Sequence, residues 1–424
     1  MKTNFGIGTL VRARRALVVG GSLGGLLAAH LLRRAGWDVT LFERNDEDLT
    51  GRGAGLSTHP QLLEVLTRVG INFDESMGVR LDSMVLLDSG GGVLIEEKTQ
   101  RIMTSWGRLY RSLRDAWPDL SYRLGMSLVR VEQDEAGVTA VFANGSQERG
   151  DLLVGADGMR SSVREQYLPD AQPCYAGYVA WRAMLEESEF PPDIRAQLFD
   201  RYTFCLPEGE LFLAYPVPGR NNETLPGRRA YNIVWYRPAT PDALVDLCTD
   251  AGGLCHGTAI APPLIRPDIL AAIKATARAL LAPQLAEIFA RSKAFFQPIF
   301  DLEPQRMVFG RVALLGDAAF VARPHVGAGV TKAALDAVSL AAATNEDVAA
   351  GLLRYEREQQ PIGRQLVALG RREGAYLSAQ IKPREQHSEA ELKRTMHEVI
   401  RAHVLRSETL REALAAARRA AVTL

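Results

Sequence analysis

The sequence predicts an α/β protein with α+β elements: one part wound around parallel strands, a second built on an antiparallel sheet, and a helical segment at the C-terminus. Three observations predict it. Residues 16–44, 151–164 and 308–317 each run an apolar strand into a glycine turn, the rhythm of a parallel sheet. Residues 173–296 carry strand-like, aromatic-rich runs without interleaved helices, which favours antiparallel pairing. Residues 388–424, rich in alanine, arginine and glutamate, open on Ser388 and Glu391 in capping-box spacing.

Composition sets the bounds. A chain of 424 residues accommodates two domains with sizeable cores. A hydrophobic content of 47% and a charged content of 24% fit a soluble globular protein. Fifty basic and fifty acidic residues cancel, so neither nucleic acid nor a membrane surface is an expected partner. Cys174, Cys205, Cys248 and Cys255 form no C-x-x-C pair, so no metal site or disulfide framework is implied. No apolar run is long enough to span a bilayer, and a cytoplasmic location is the expectation.

The elements follow in order. Residues 16–20 read as a strand, and Gly20, Gly21, Ser22, Leu23, Gly24 and Gly25 as a turn. A helix over 23–35 ends at Gly36, and a strand over 38–42 delivers Glu43 and Arg44. The pattern G-x-G-x-x-G falls on Gly20, Ser22 and Gly25, with serine at its centre. A helix N-terminus there offers free N–H groups and partial positive charge to a pyrophosphate, and the acidic residue about 20 positions on accepts ribose hydroxyls. Arg12, Arg14 and Arg15 before this run resemble a signal peptide, but glycines, His30, Arg33 and Arg34 interrupt it.

Arg52 lies among Gly51, Gly53 and Gly55, as a candidate cofactor contact or a solvated loop residue. His59 precedes a helix over 60–69 with Pro60 in its first turn. Residues 84–87 and 93–96 read as a hairpin, 109–116 as a helix, and 128–149 as a small antiparallel sheet. A buried strand over 152–154 leads to Gly155, Ala156, Asp157 and Gly158, with Asp157 at the strand end where ligands sit in open α/β sheets. The aromatic strands carry Tyr178, Trp181, Phe204, Phe212, Tyr215, Tyr231 and Trp235, which either pack a core or floor a pocket for a planar substrate. A single helix is expected over 269–290. The last glycine turn presents Gly316 and Asp317, and a second loop, through Pro324, His325, Gly327, Ala328, Gly329 and Val330, starts a helix reaching Ala343.

In this order the three stretches resemble the single-component (class A) flavoprotein aromatic hydroxylases, the family of p-hydroxybenzoate hydroxylase, over residues 16 to about 336. The strings GGSLGG, TSWGRLYRSL, YAGYVAWR, IFDLEPQRMVFGRVALLGDAAF and ARPHVGAGVTKAALDA are similar to the 2,6-dihydroxypyridine 3-hydroxylase branch. The resemblance implies a Rossmann-like FAD-binding domain over 1–80, 100–172 and 300–375, a substrate-binding domain over 81–99 and 173–299, and a C-terminal helical segment over 376–424. It implies FAD as resident cofactor and NADH or NADPH as transient reductant. The implied reaction is O2-dependent hydroxylation of an electron-rich hydroxylated ring through a flavin C4a-hydroperoxide. The implied partners are O2 and a small aromatic substrate, with 2,6-dihydroxypyridine as the leading example, and a homodimer is compatible.

By position, Glu43 would bind the adenosine ribose, with Arg44 and Arg52 nearby. Gly20, Ser22, Leu23 and Gly25 would face the pyrophosphate. Asp157 would serve both FAD and NAD(P)H, and Gly316 with Asp317 would hold the ribityl chain. Pro324 and the loop Gly327, Ala328, Gly329 and Val330 would line the flavin ring. Trp181, Phe204, Tyr215 and Pro324 are the candidate substrate contacts. His59, His325 and Tyr215 are the candidates for removing the phenolic proton. Two positions depart from the family pattern: Phe320 stands where many relatives have histidine, and Trp106 where many have an FAD-binding arginine, leaving the roles of Arg108 and Arg111 open. A hydroxybenzoate or hydroxynicotinate is the alternative substrate, and its carboxylate would call on Arg182 or Arg201. A flavin oxidase or halogenase is the alternative chemistry, but the halogenase W-x-W-x-I-P motif is missing and Lys332 lies inside a predicted helix.

Overall fold

The computed structural model describes residues 13–50, 55–345, 347–382, 412, 414 and 415, without the side chains of Gln100 and His325. Arg52 and most of the expected C-terminal helix lie outside the described residues. The two sheets that dominate the chain have the two characters the sequence predicts.

The first sheet has six strands in the order Val308–Phe309, Val312–Leu314, Leu152–Gly155, Arg15–Val19, Asp38–Phe42 and Tyr122–Arg123. All its pairs are parallel except the edge pair of Val308–Phe309 with Val312–Leu314. Its strands are apolar on both faces because both are covered. Helices Leu23–Arg34 and Gly329–Ala343 pack together on it, and the small sheet of Leu128–Asp134, Gly137–Phe142 and Gln147–Gly150 adds Val138, Ala140 and Phe142 to the same core.

The second sheet has eight strands, in the order Phe295–Asp301, Cys174–Glu186, Ala230–Pro238, Leu211–Val217, Arg201–Cys205, Val79–Leu87, Val93–Ser105 and Gly55–Ser57. One pair departs from the predicted antiparallel pattern: Arg201–Cys205 runs parallel to Val79–Leu87. The two strands are joined only through the parallel domain, so no tight turn dictates their direction. The expected hairpin is present but longer, with register shifts that bend it at Leu81/Ser83 and Leu86/Leu87.

The helix expected over 269–290 is two helices, Pro267–Leu280 and Pro283–Arg291. Pro283 lacks an N–H and forces Ala282 into an extended conformation, so the first helix has to stop. Both helices cover one face of the large sheet, where Trp181, Phe212, Trp235 and Phe289 share a core. The opposite face carries Tyr178, Tyr202, Phe204, Tyr215 and Tyr236. Among the described residues no helix is long and apolar enough to cross a membrane.

Glycine at 25 lets the first helix sit on its turn: a Cβ there would lie 1.8 Å from the Gly20 carbonyl oxygen. Gly25→Ala is expected to cost about 1–3 kcal/mol of stability through overpacking, read as the denaturant midpoint of the FAD-free chain. An unchanged midpoint contradicts this packing.

Candidate active site

A groove is built first from the glycine turn at Gly20. Its φ of +109° suits glycine alone, and a Cβ there would lie 2.3 Å from the Ala156 carbonyl oxygen. The turn and the loop at Asp157 therefore press directly together. In the first helix, Leu26 N–H bonds Ser22 O at 2.9 Å, and no side chain caps the start. The first-turn N–H groups and the half-buried Ser22 hydroxyl thus remain available to an anion.

Glu43 is buried, and its Oε2 accepts from Gly21 N–H at 2.8 Å. Its Oε1 accepts from the backbone and side-chain amides of Asn45. A carboxylate offers about four acceptor positions, so three bonds leave capacity for a hydroxyl. Behind the turn, Tyr122 donates to Gly21 O at 3.0 Å and lies 3.0 Å from the Tyr110 hydroxyl. A Cβ on Gly21 would collide with that tyrosine.

Asp157 takes the Ser161 hydroxyl at 2.5 Å and Val163 N–H at 3.3 Å, so it holds the start of helix Ser162–Tyr167. Burial still keeps its carboxyl above the usual range, against those bonds. Arg164, which sequence reasoning passed over, is buried and donates to Met159 O at 2.5 Å, Ala171 O at 3.2 Å and Ala318 O at 3.1 Å. It bolts the Asp157 loop to the Asp317 loop. No short-range pattern could have found it, because Ala318 lies in a distant part of the chain.

Gly316 adopts a φ of +62° and turns Asp317 into the groove. Beneath it, Lys332 Nζ donates to Asp336 Oδ2 at 2.6 Å and to Gly316 O at 3.1 Å, while Gly316 N–H bonds Asp336 Oδ2 at 3.0 Å. The Asp317 carboxyl reaches solvent within the cleft, yet surrounding protein raises its pKa by desolvation, opposed by Lys332. A hydroxylated ligand would return the lost hydrogen bonds.

The loop at Gly327 comes close to the large sheet at Gly55–Ser57. A Cβ on Gly327 (φ +62°) would lie 3.8 Å from Ser57 Cβ and Oγ, and one on Gly55 would lie 2.5 Å from the Tyr215 ring. Gly55 N–H also donates to Asn232 Oδ1 at 3.2 Å. Gly327, Ser57, Gly55, Asn232 and Tyr215 thus form a continuous wall. Phe204 lies on that face, while its neighbour Tyr202 meets Tyr215 edge-on at 5.0 Å. Trp181 is parted from them: it packs in the helix-covered core, 5.2 Å from Phe296. Burial pushes the Tyr215 hydroxyl up in pKa, against the Arg182 charge, so it stays a donor.

The other sequence candidates separate as clearly. His59 is 3% exposed, caps helix Pro60–Arg68 and lies 3.0 Å through Nδ1 from Thr331 Oγ1. It ties two helix starts together. Pro324 is exposed and opens a short 3-10 turn, and the His325 side chain lies outside the described residues. Gly329 and Val330 begin a helix that no side chain caps, next to Ala328. Arg201 pairs with Glu96 at 3.5 Å. Arg182 has no hydrogen bond or ion pair among the described residues, and its Nε is buried without a partner.

Comparison with known proteins agrees with this geometry. A family model described as FAD binding domain matches residues 14–184 and 298–369, and one described as FAD binding domain-like matches 175–301. The chain is 34% identical over 348 residues to the 2,6-dihydroxypyridine 3-monooxygenase of Paenarthrobacter nicotinovorans, covering 81% of this chain and 87% of that one. It is 30% identical over 377 residues to the FAD-dependent urate hydroxylase of Klebsiella pneumoniae, covering 84% and 89%. Among solved structures, 2,6-dihydroxypyridine-3-hydroxylase from Arthrobacter nicotinovorans aligns with a TM-score of 0.81 at 31% identity, covering 89% of this chain and 96% of that one. Klebsiella pneumoniae HpxO complexed with FAD and uric acid aligns with a TM-score of 0.73 at 26% identity, covering 95% and 97%.

The folded pKa of the Asp317 carboxyl is raised, so its contribution to stability is full below the unfolded pKa and is lost as pH rises through the folded value. At neutral pH, Asp317→Asn is therefore expected to leave the FAD-free chain as stable or more so. Losing a charged acceptor is expected to weaken FAD binding roughly 10–100-fold. Thermal melts without FAD and flavin-release titrations measure the two effects, and unchanged flavin affinity removes Asp317 from the cofactor site.

Proposed function

The chain belongs to the FAD-binding-domain family of flavoprotein monooxygenases, and from that premise we propose that it hydroxylates an electron-rich, hydroxylated heteroaromatic ring. The leading substrate is a hydroxypyridine such as 2,6-dihydroxypyridine. In balance, the ring hydrogen is replaced by hydroxyl, O2 supplies that oxygen and one water, and NAD(P)H supplies two electrons. The observation that carries the reading is the wall from Gly327 through Ser57 and Gly55 to Tyr215, which joins a cofactor groove to an aromatic sheet face. The named substrates of the two relatives, dihydroxypyridine and urate, support a nitrogen heterocycle.

FAD, when bound, supplies the transfer of electrons from the nicotinamide and the activation of O2. The chain's residues do the rest. The first-turn N–H groups after Ser22, with Gly20 and Gly25 shaping the turn, fit the pyrophosphate. Glu43 would accept from the ribose, and Asp317 from the polyol chain. Pro324 and the loop Gly327 to Val330, with Ser57 beside Gly327, would line the ring system and help exclude water from it. Tyr215, held protonated by burial, donates to a ring oxygen and orients the substrate. His59 holds the starts of two helices around the groove. A carboxylated ring, hydroxynicotinate or hydroxybenzoate, is the second reading, and the unpartnered Arg182 favours it.

The test is NADH or NADPH oxidation by the FAD-loaded enzyme with candidate hydroxypyridines, with hydroxylated product and hydrogen peroxide both quantified. The expected result is ring-dependent oxidation ending mainly in hydroxylated product. Tyr215→Phe is expected to keep its flavin and shift roughly tenfold more of the electrons to peroxide, in line with lost positioning. A protein that consumes NAD(P)H equally with and without every ring contradicts the reading.

A further inference from the structure

We propose that Tyr122 is a positioning residue for the cofactor: through the Gly21 carbonyl it aims and polarises the Ser22 N–H as a donor to the FAD pyrophosphate, with Tyr110 acting behind it. This role rests on the proposed fit of the pyrophosphate to the turn at Ser22, and adds the groups outside the glycine pattern that make the turn a good donor.

The direction of every bond in the chain of hydroxyls is fixed. A carbonyl oxygen only accepts, so the Tyr122 proton goes to Gly21 O at 3.0 Å. The Tyr122 oxygen is then the acceptor in its 3.0 Å bond with Tyr110, and Tyr110 is the donor. The Tyr110 oxygen in turn accepts from Leu49 N–H at 3.4 Å. Three donors thus point in sequence at one carbonyl, and each bond in such a chain polarises the next. Burial pushes both phenols up in pKa, Tyr122 well beyond the ordinary range, so both keep their protons around neutral pH.

The Gly21 carbonyl belongs to the same peptide as the Ser22 N–H. That peptide is trans, so its oxygen and its hydrogen point in opposite directions. Holding the oxygen on Tyr122 therefore turns the N–H away from the tyrosine, and the polarised oxygen makes that N–H a stronger donor. No hydrogen bond among the described residues uses it. It immediately precedes helix Leu23–Arg34, whose start no side chain caps and where partial positive charge gathers.

The surroundings fix both rings and leave room for the bond. A Cβ on Gly21 would lie 2.2 Å from the Tyr122 hydroxyl, so glycine at the free place between Gly20 and Ser22 is what admits the tyrosine. Trp106 stacks on Tyr110 with ring centres 4.8 Å apart. The Arg114 guanidinium lies 4.3 Å over the Tyr122 ring and is held by Asp119 at 2.9 Å.

The experiment uses the FAD-loaded protein without substrate or NAD(P)H. It reads the phosphorus NMR resonances of the bound pyrophosphate, the visible flavin spectrum and the FAD dissociation constant, with melts of the FAD-free chain alongside. In the parent, the phosphorus resonances are expected to be displaced from those of free FAD. Parent resonances identical to those of free FAD overturn the fit of the pyrophosphate to the turn, and this role with it. Tyr122→Phe is expected to move the bound resonances, to leave the flavin spectrum in place and to weaken FAD roughly 3–10-fold, the effect of one lost hydrogen bond. Tyr110→Phe leaves the Tyr122 bond to Gly21 O intact, so it is expected to move the resonances the same way by less, with a smaller loss of affinity. If Tyr122→Phe does not fold, the Tyr110→Phe resonances decide: displacement supports the role, and parent positions overturn it. With displaced parent resonances, the role is overturned by variants whose resonances or FAD affinity stay at parent values. It is equally overturned by a flavin spectrum that moves with the resonances, or by a Tyr110→Phe effect as large as that of Tyr122→Phe. A lowered melting temperature with unmoved resonances leaves the two tyrosines a structural role alone.

Discussion

The close approach of Gly55 to the Tyr215 ring is the constraint on which the site depends. Gly55–Ser57 is chemically plain, a three-residue strand at the edge of an eight-stranded sheet. Its Ser57 lies beside Gly327, and its Gly55 meets the aromatic face at Tyr215 and Asn232. Any side chain at 55 would collide with the Tyr215 ring of the same sheet. Gly55 and Ser57 thus lie between the loop at Gly327 and the aromatic face that carries Tyr215 and Asn232.

The loops that shape the groove are held from below by buried charge. Lys332 and Asp336 clamp both backbone atoms of Gly316, Arg164 binds three carbonyls across two loops, and Arg323 pairs with Asp301 at 2.9 Å one residue before Pro324. Arg323 also donates to Ser378, and Gly374 leaves room for its guanidinium. Breaking such a pair by removing one member typically costs about 3–5 kcal/mol. Lys332, Asp336 and Arg164 grip backbone at glycine-led turns, and Arg323 ties its loop to side chains of neighbouring elements. Leu414 shares a buried apolar cluster with Val326, Ala328, Leu335 and Ile362.

The parallel sheet and its turns were legible because strand-to-glycine turns obey local rules. Gly20, Gly25 and Gly316 sit where a Cβ or a negative φ is forbidden, and those demands show in the sequence itself. The break at Pro283 was equally local, yet the expected single helix over 269–290 ran through it, although proline removes the N–H that a helix needs there. Other features were not local. Alternation says that Trp181 and Arg182 face opposite ways, but only the packed helices decide which face is core. The parallel pairing of Arg201–Cys205 depends on a strand more than a hundred residues earlier. The reach of Arg164 to Ala318 and of Asn232 to Gly55 is likewise invisible to periodicity. Sequence therefore located the glycine turns of the parallel sheet, and the aromatic face only by its composition.

The central claim is that substrate chemistry takes place where the Gly327 loop, Gly55–Ser57 and the Tyr215–Asn232 face meet. A crystal structure of the FAD-loaded protein with 2,6-dihydroxypyridine or 6-hydroxynicotinate tests it most directly. The account predicts a flavin ring bordered by Ser57 and Gly327, and a ligand ring against Tyr215. A ligand seated elsewhere would contradict it.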